Sequence, residues 1–317
     1  MTILNLATAA LLALTPTTPL CDNVIVGLGS DTTETLFDAF AAHYPGAPVT
    51  SHWATGTPKI SLKAGCAPID RPNGSSPGIV ALATRQTAAD GSPCIDFARS
   101  VAPRSPGAPA DSVFYPIAND GLDWAANAVT NVPATLSISQ IADILECNVT
   151  TWDQVGGTSH ATIEPYLPER GPGLANLLHA LVGLDHLGPC VGVTQQDSGV
   201  TPEIKDNPNA IAFYSIGKYI GQAVYRIADV HGTLRLGQLD GAQPTVFNPA
   251  TGRIEVNYGQ VPGIKGIPAQ FRIPEWVVAR TPSTIAELVE WICTSPTARR
   301  DIQNHGFLVS PRCGVPS

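Results

Sequence analysis

Short apolar runs that pass through small, hydroxyl-bearing turns into helix-spaced apolar residues recur along this chain. The run Asn23-Val-Ile-Val-Gly-Leu-Gly29 predicts a buried strand, and Leu36, Phe37, Phe40 and Tyr44 then fall at helical spacing until Pro45-Gly46. Ser30 or Asp31 is placed to cap that helix, with Glu34 three residues beyond Asp31 as a capping-box partner. Residues 69–82 repeat the plan: Asn73, Gly74, Ser75 and Ser76 stand at a helix start, and Ile79, Val80 and Leu82 open its buried face. Residues 94–100 predict a short strand ending in Arg99-Ser100.

Further on, residues 113–118 predict a strand that leaves a first domain for a second. Ile138, Ile141, Ile144 and Leu145 share one side of an amphipathic helix, followed by a turn over 147–157 anchored by Trp152. Residues 163–178 give another strand, glycine turn and helix, with Leu174, Leu177, Leu178 and Leu181 as its stripe. Residues 209–219 read as a strand into a helix start, and 231–262 as hairpins turning at Asp240-Gly241 and at 248–252. A strand over 271–280 carries the chain back, and Ile285, Leu288, Val289 and Ile292 mark a C-terminal helix.

The chemistry such turns offer is anion binding. The first backbone N–H groups of a helix have no internal acceptor, and the helix dipole favours negative charge there. Ser30, Thr32 and Thr33 add hydroxyl donors, and the turns at 73–76 and 99–100 make a shared pocket more plausible than three unrelated caps. Gly27-x-Gly29-x-x-Thr32 only partly matches a dinucleotide fingerprint: the third glycine is missing, and no acid stands at 45–50 for a ribose hydroxyl.

Composition narrows the classes. The chain has 317 residues, 44% apolar and 14% charged, with 29 glycines and 29 prolines, as in a loop-rich globular protein of about two domains. A net charge of −8 without basic runs argues against nucleic-acid binding, which needs several phosphates neutralised, but not against a small anion. Residues 3–14 form an apolar segment of signal-peptide core length, too short to span a bilayer and with no basic residue ahead of it. Residues 1–22 are therefore read as a signal-like segment, with Cys21 a poorly matched lipidation site. The other six cysteines allow fifteen pairings. The sequential one, Cys66 with Cys94, Cys147 with Cys190 and Cys293 with Cys313, keeps each pair within one segment and points to an extracytoplasmic location. No His-x-x-x-His marks a metalloenzyme, and the single Gly-x-Ser-x-Gly match, Gly74-Ser-Ser-Pro-Gly78, puts its middle serine, Ser76, in the helix start already read as an anion turn.

Gly29-Ser-Asp-Thr-Thr33, Arg71-Pro-Asn-Gly-Ser-Ser76, Cys94-Ile-Asp-Phe-Ala-Arg-Ser100, the Gln140-Ile141 helix with Trp152-Asp-Gln-Val-Gly-Gly157, and Asn209-Ala-Ile-Ala-Phe-Tyr-Ser215 occur in order. Together they resemble the substrate-binding proteins of phosphate ABC importers, in particular an actinobacterial branch. The resemblance implies an α/β, two-lobe, type II periplasmic-binding-protein-like fold with a hinge of two crossing strands. On that plan residues 23–113 plus 272–317 form lobe 1 and 114–271 form lobe 2. It implies an exported monomer that captures phosphate or another small oxyanion between the lobes for an ABC permease, with no cofactor, metal or catalysis. Carried over, the ligand-binding set is Ser30, Asp31, Thr32, Thr33, Asn73, Gly74, Ser75, Ser76, Arg99, Ser100, Arg170 and Gly171.

The chain departs from the family at two places. Relatives carry Gly-Ser-Gly-Thr in the fourth turn, where this chain has Gly171-Pro-Gly-Leu174, and an aspartate after the third-turn serine, where it has Val101. Three hydrogen bonds to a buried ion are thereby lost, at about 1.5–3 kcal/mol each. Arg170 and Arg99 are the candidates to compensate. Phosphate is accordingly expected to be held weakly, with a binding-incompetent cell-surface interaction protein as the alternative.

Overall fold

The computed structural model describes residues 23–101, 104, 108–127, 132–168, 181–184, 186–194, 202–280 and 282–317. The signal-like segment with Cys21, and the fourth turn with Arg170, Gly171, Pro172 and Leu174, lie outside them, as do Leu177 and Leu178.

The chain opens with β1 (Ile25–Gly29), α1 (Glu34–His43), β2 (Val49–Ser51), β3 (Lys59–Ile60), β4 (Ile69–Asp70), α2 (Ser75–Ala83) and β5 (Phe97–Ser100). It continues through β6 (Val113–Asn127), β7 (Thr135–Leu136), α3 (Ile138–Leu145), β8 (Glu164–Pro168), β9 (Gly192–Thr194), α4 (Pro202–Lys205), β10 (Ala210–Ser215) and α5 (Ile216–Ala223). Then come β11 (Leu234–Leu236), β12 (Gln238–Leu239), β13 (Thr245–Asn248), β14 (Arg253–Val256), β15 (Arg272–Ala279), α6 (Pro282–Thr294), α7 (Pro296–Asn304) and β16 (Leu308–Val309).

Among the described residues a mixed, curled sheet runs β2-β1-β5-β15-β6-β10-β8-β9, with β11 and β16 also paired to β6. β1 is parallel to β2 and β5, β15 is antiparallel to β5 and β6, and β10 is antiparallel to β6. β1 is buried on both faces, as a central parallel strand must be. Ile25 packs with Phe37, Phe40, Leu288 and Ile302 on one face; Val26 and Leu28 pack with Ile79 and Leu82 on the other. Each such side chain taken from water stabilises the fold by about 1.5–3 kcal/mol. A separate cluster around Trp124, Trp152, Ile141, Ile144 and Phe213 forms the core beyond the far half of β6.

β6 runs through residue 127, although the apolar pattern predicts a strand only to Ala118. Asp120, Gly121 and Asp123 interrupt the apolar pattern, yet each is paired: 113–121 against β15, 122–126 against β10. The predicted turn over 248–252 joins the antiparallel pair β13 and β14. The turn expected at Asp240-Gly241 is present, closed by Ala242 N–H to the Leu239 carbonyl at 2.9 Å with an antiparallel bridge between those two residues, but the hairpin goes no further, because β12 pairs with β7. The three sequential disulfides are present and separate their partners by 28, 43 and 20 residues. Loop-closure entropy at those lengths is worth roughly 3–4 kcal/mol each.

Candidate functional site

Because β1, β2 and β5 run parallel, their carboxyl ends open at the same edge of the sheet, the position at which open α/β sheets bind ligands. Ser30, Ser51 and Ser100 sit at those three ends. Ser30 N–H donates to the Arg99 carbonyl at 3.1 Å, tying the first turn to the third. Val101 N–H donates to Ser75 Oγ at 3.1 Å, tying the third to the start of α2. Gly29 bridges directly to Asn73. Three loop ends that are far apart in sequence are thus linked by single hydrogen bonds.

Most of the lining is buried polar side chain. Ser30, Asp31, Thr32, Thr33, Ser75, Ser76, Arg99 and Ser100 all lie inside, while Asn73 and Gly74 are half-buried. The capping box expected at α1 does not form. Thr33 is the N-cap and makes no side-chain capping bond, and the Glu34 carboxylate accepts the Ala54 N–H at 3.2 Å instead. Burial raises the Glu34 pKa, with Lys218 opposing. α2 has Gly74 as its N-cap, also with no side-chain capping bond. Two helix starts therefore present first-turn N–H groups without a capping side chain, which suits a negatively charged guest. Ser75 Oγ accepts from Val101, and a hydroxyl that accepts still has its own proton to donate.

The glycines of the partial dinucleotide pattern have packing roles. A Cβ at Gly27 would lie 2.0 Å from the Phe97 ring, and Gly29 has a φ of 115° beside the Arg99 backbone.

Arg99 has a different job from the one expected. Its guanidinium is fully buried and donates to the Ser30 carbonyl at 2.8 Å, the His52 carbonyl at 2.9 Å, the Gly29 carbonyl at 3.5 Å and Ser51 Oγ. That fork braces the ends of β1 and β2, spending on protein oxygens the donors expected for the ligand. Burial lowers its pKa to about 10, while the Glu34, Asp31 and Asp38 carboxylates pull the other way. The group remains a cation at neutral pH. Val101, where relatives place the aspartate, is buried in the apolar cluster with Leu122, Trp124 and Ile273, so its side chain serves the core.

Lys218 was missed in the sequence. It projects from the first turn of α5, and its buried ammonium donates to the Asp31 carbonyl at 2.9 Å and lies 3.7 Å from the Asp31 carboxylate. The available signal was that no other charged residue occurs between Asn209 and Tyr225. Asp120 on β6 fixes this helix start, accepting from Gly217 N–H at 2.7 Å and from the Ser215 hydroxyl. Burial raises the Asp120 pKa to about 6 against those hydrogen bonds.

Among the described residues no group of three or more His, Cys, Asp or Glu is arranged to hold a metal ion, and no helix is long and apolar enough to cross a membrane. The model of the PBP superfamily domain matches residues 17–261. The chain belongs to that family. Its fold is the periplasmic-binding-protein-like one, and solved structures of the same PBP architecture resemble it over nearly their whole length. One is an ABC-type phosphate transport receptor from Vibrio cholerae, 20% identical over 90% of this chain and 100% of that one, TM-score 0.58. A putative phosphate ABC transporter substrate-binding protein with bound phosphate from Clostridium perfringens is 16% identical over 90% and 99%, TM-score 0.64. A phosphate-binding protein from Stenotrophomonas maltophilia is 11% identical over 92% and 91%, TM-score 0.60. Identities this low establish the shared fold alone. No curated protein matches.

Proposed function

We propose that this PBP-family chain is an extracytoplasmic solute-binding protein that captures a small oxyanion of the phosphate class for an ABC importer. The observation that carries the reading is the linkage of Ser30, Ser75 and Ser100 at the carboxyl ends of β1 and β5 and the start of α2. Backbone N–H groups and hydroxyls at such a place hold a small anion inside an acidic protein. The relatives described as phosphate-binding share this fold, which supports phosphate as the first ligand to test. The ligand set is Ser30, Asp31 through its main-chain N–H, Thr32, Thr33, Asn73, Gly74, Ser75, Ser76 and Ser100, with Arg170 and Gly171 from the fourth turn.

The lobes are residues 23–113 plus 272–317 and residues 114–271. β6 and β15, paired side by side near those boundaries, are the crossing strands about which hinge closure would trap the ligand. An export signal in residues 1–22, an ABC permease as partner and a monomeric state complete the reading, which has no catalytic step. Val101 in the core leaves the guest without an acceptor at that position, so affinity is weaker than micromolar. Neither the fold nor the relatives support the binding-incompetent alternative.

Thermal melts of ligand-stripped protein with phosphate, arsenate and sulfate test the reading. A ligand at 100 times its dissociation constant adds roughly 2.7 kcal/mol to stability and raises the melting temperature. A melting temperature indifferent to every oxyanion at tens of millimolar would sink it. Phosphate retention at micromolar or tighter affinity would contradict the weakened site.

A further inference from the structure

An anion brought to the first turn meets acids already there. Asp31 and Glu34 belong to that turn and the first turn of α1, and both are buried. Coulomb repulsion between like charges is strong in such surroundings, so a turn with two uncompensated carboxylates would repel an oxyanion. The buried Arg99 attracts both carboxylates, and a second compensating charge comes from a helix 187 residues further along the chain. Lys218 reaches the Asp31 carboxylate at 3.7 Å and its carbonyl at 2.9 Å.

We propose, building on the oxyanion reading above, that Lys218 is the positioning residue that makes the Ser30–Thr33 turn receptive to an anion. It acts in two ways. Its charge cancels that of Asp31. Its hydrogen bond also fixes the Asp31 carbonyl and with it the planar Asp31–Thr32 peptide, whose N–H donates to Ser30 Oγ at 3.3 Å and so holds the turn in shape. Lys218 is itself held in place from two sides. Asp120 anchors the start of α5 through Ser215 and Gly217. The helix also lies hard against 305–307, since a Cβ at Gly217 would fall 2.4 Å from the Phe307 ring and one at Gly221 2.8 Å from the His305 carbonyl. A lysine fixed this way has little rotamer freedom left to lose when the ligand arrives.

The test is phosphate titration into the full chain and four variants, with ligand-free melts to check folding. Lys218→Met should weaken phosphate binding on the order of ten- to a hundredfold, the scale of one charged hydrogen bond. Lys218→Arg should stay within about tenfold of wild type. Asp31→Asn, which leaves the lysine uncancelled, should bind phosphate more tightly than wild type. Asp31→Asn with Lys218→Met should recover much of the loss, a rescue that a purely structural role for Lys218 would not give. Should Lys218→Met fail to fold, the direction of change in Asp31→Asn decides. Binding by wild type that Lys218→Met matches, or Asp31→Asn binding no better than wild type, overturns this inference and leaves the oxyanion reading standing. No phosphate binding by wild type overturns both.

Discussion

Replacing Gly78 by alanine tests how closely α2 must approach β1. Gly78 lies one turn into α2, and an added Cβ would sit 2.6 Å from the Cα of Gly29 and 3.4 Å from the Leu28 side chain. Carbon atoms pack at about 3.5–4.0 Å, so the helix would have to back away by about 1 Å. The Ser75 to Val101 bond, 3.1 Å in the native chain, would then stretch to about 4 Å and cease to be one. Overpacking of this kind costs about 1–3 kcal/mol and the lost bond about 0.5–1.5. The better helix propensity of alanine returns about 1 kcal/mol. A net loss of about 1–3 kcal/mol is expected, read as a lower urea midpoint at unchanged slope, together with weaker phosphate binding. Val80→Ala on the exposed face of the same helix is the control and should change stability little. A Gly78→Ala protein more stable than wild type by about 1 kcal/mol would show propensity acting unopposed. The close approach, and the placement of Ser75 that depends on it, would then be wrong.

Asp120 gives a pH test. Burial raises its pKa from 3.8 to about 6, so the folded chain holds that proton more tightly than the unfolded chain does. A raised carboxylate contributes stability that is present below about pH 4 and lost as pH climbs to about 6, a swing of up to about 3 kcal/mol. Asp120→Asn lacks that swing, so the variant should gain on wild type between pH 4 and 7 in urea titrations; parallel curves would refute the assignment. Arg99→Lys should destabilise by about 2–4 kcal/mol, because an ammonium cannot fork to the buried Ser30 and His52 carbonyls and Ser51 at once. A loss below about 1 kcal/mol would return Arg99 to the list of ligand donors.

The architecture was legible where physics is local. β1, α1, α2 and β5 follow from apolar spacing and small-residue turns, and the disulfide partners from their proximity in the chain. The far half of β6 was not, because Asp120, Gly121 and Asp123 are ordinary turn residues until long-range partners bury them. The serines of the site were legible as hydroxyls at helix starts. The part played by Arg99 was not, since its acceptors are backbone carbonyls that every sequence possesses. Lys218 joins Asp31 across 187 residues, a pairing that no spacing rule announces. The Glu34 carboxylate likewise looked like a cap because its competing donor, Ala54 N–H, arrives from β2's far side of the chain.

Equilibrium dialysis of labelled phosphate against ligand-stripped protein tests the central claim most directly, run beside Ser75→Ala and Ser100→Ala. The account predicts saturable retention of one ion per chain by wild type, weakened on the order of tenfold or more in each variant. No retention at tens of millimolar phosphate, or retention that neither variant changes, would contradict it.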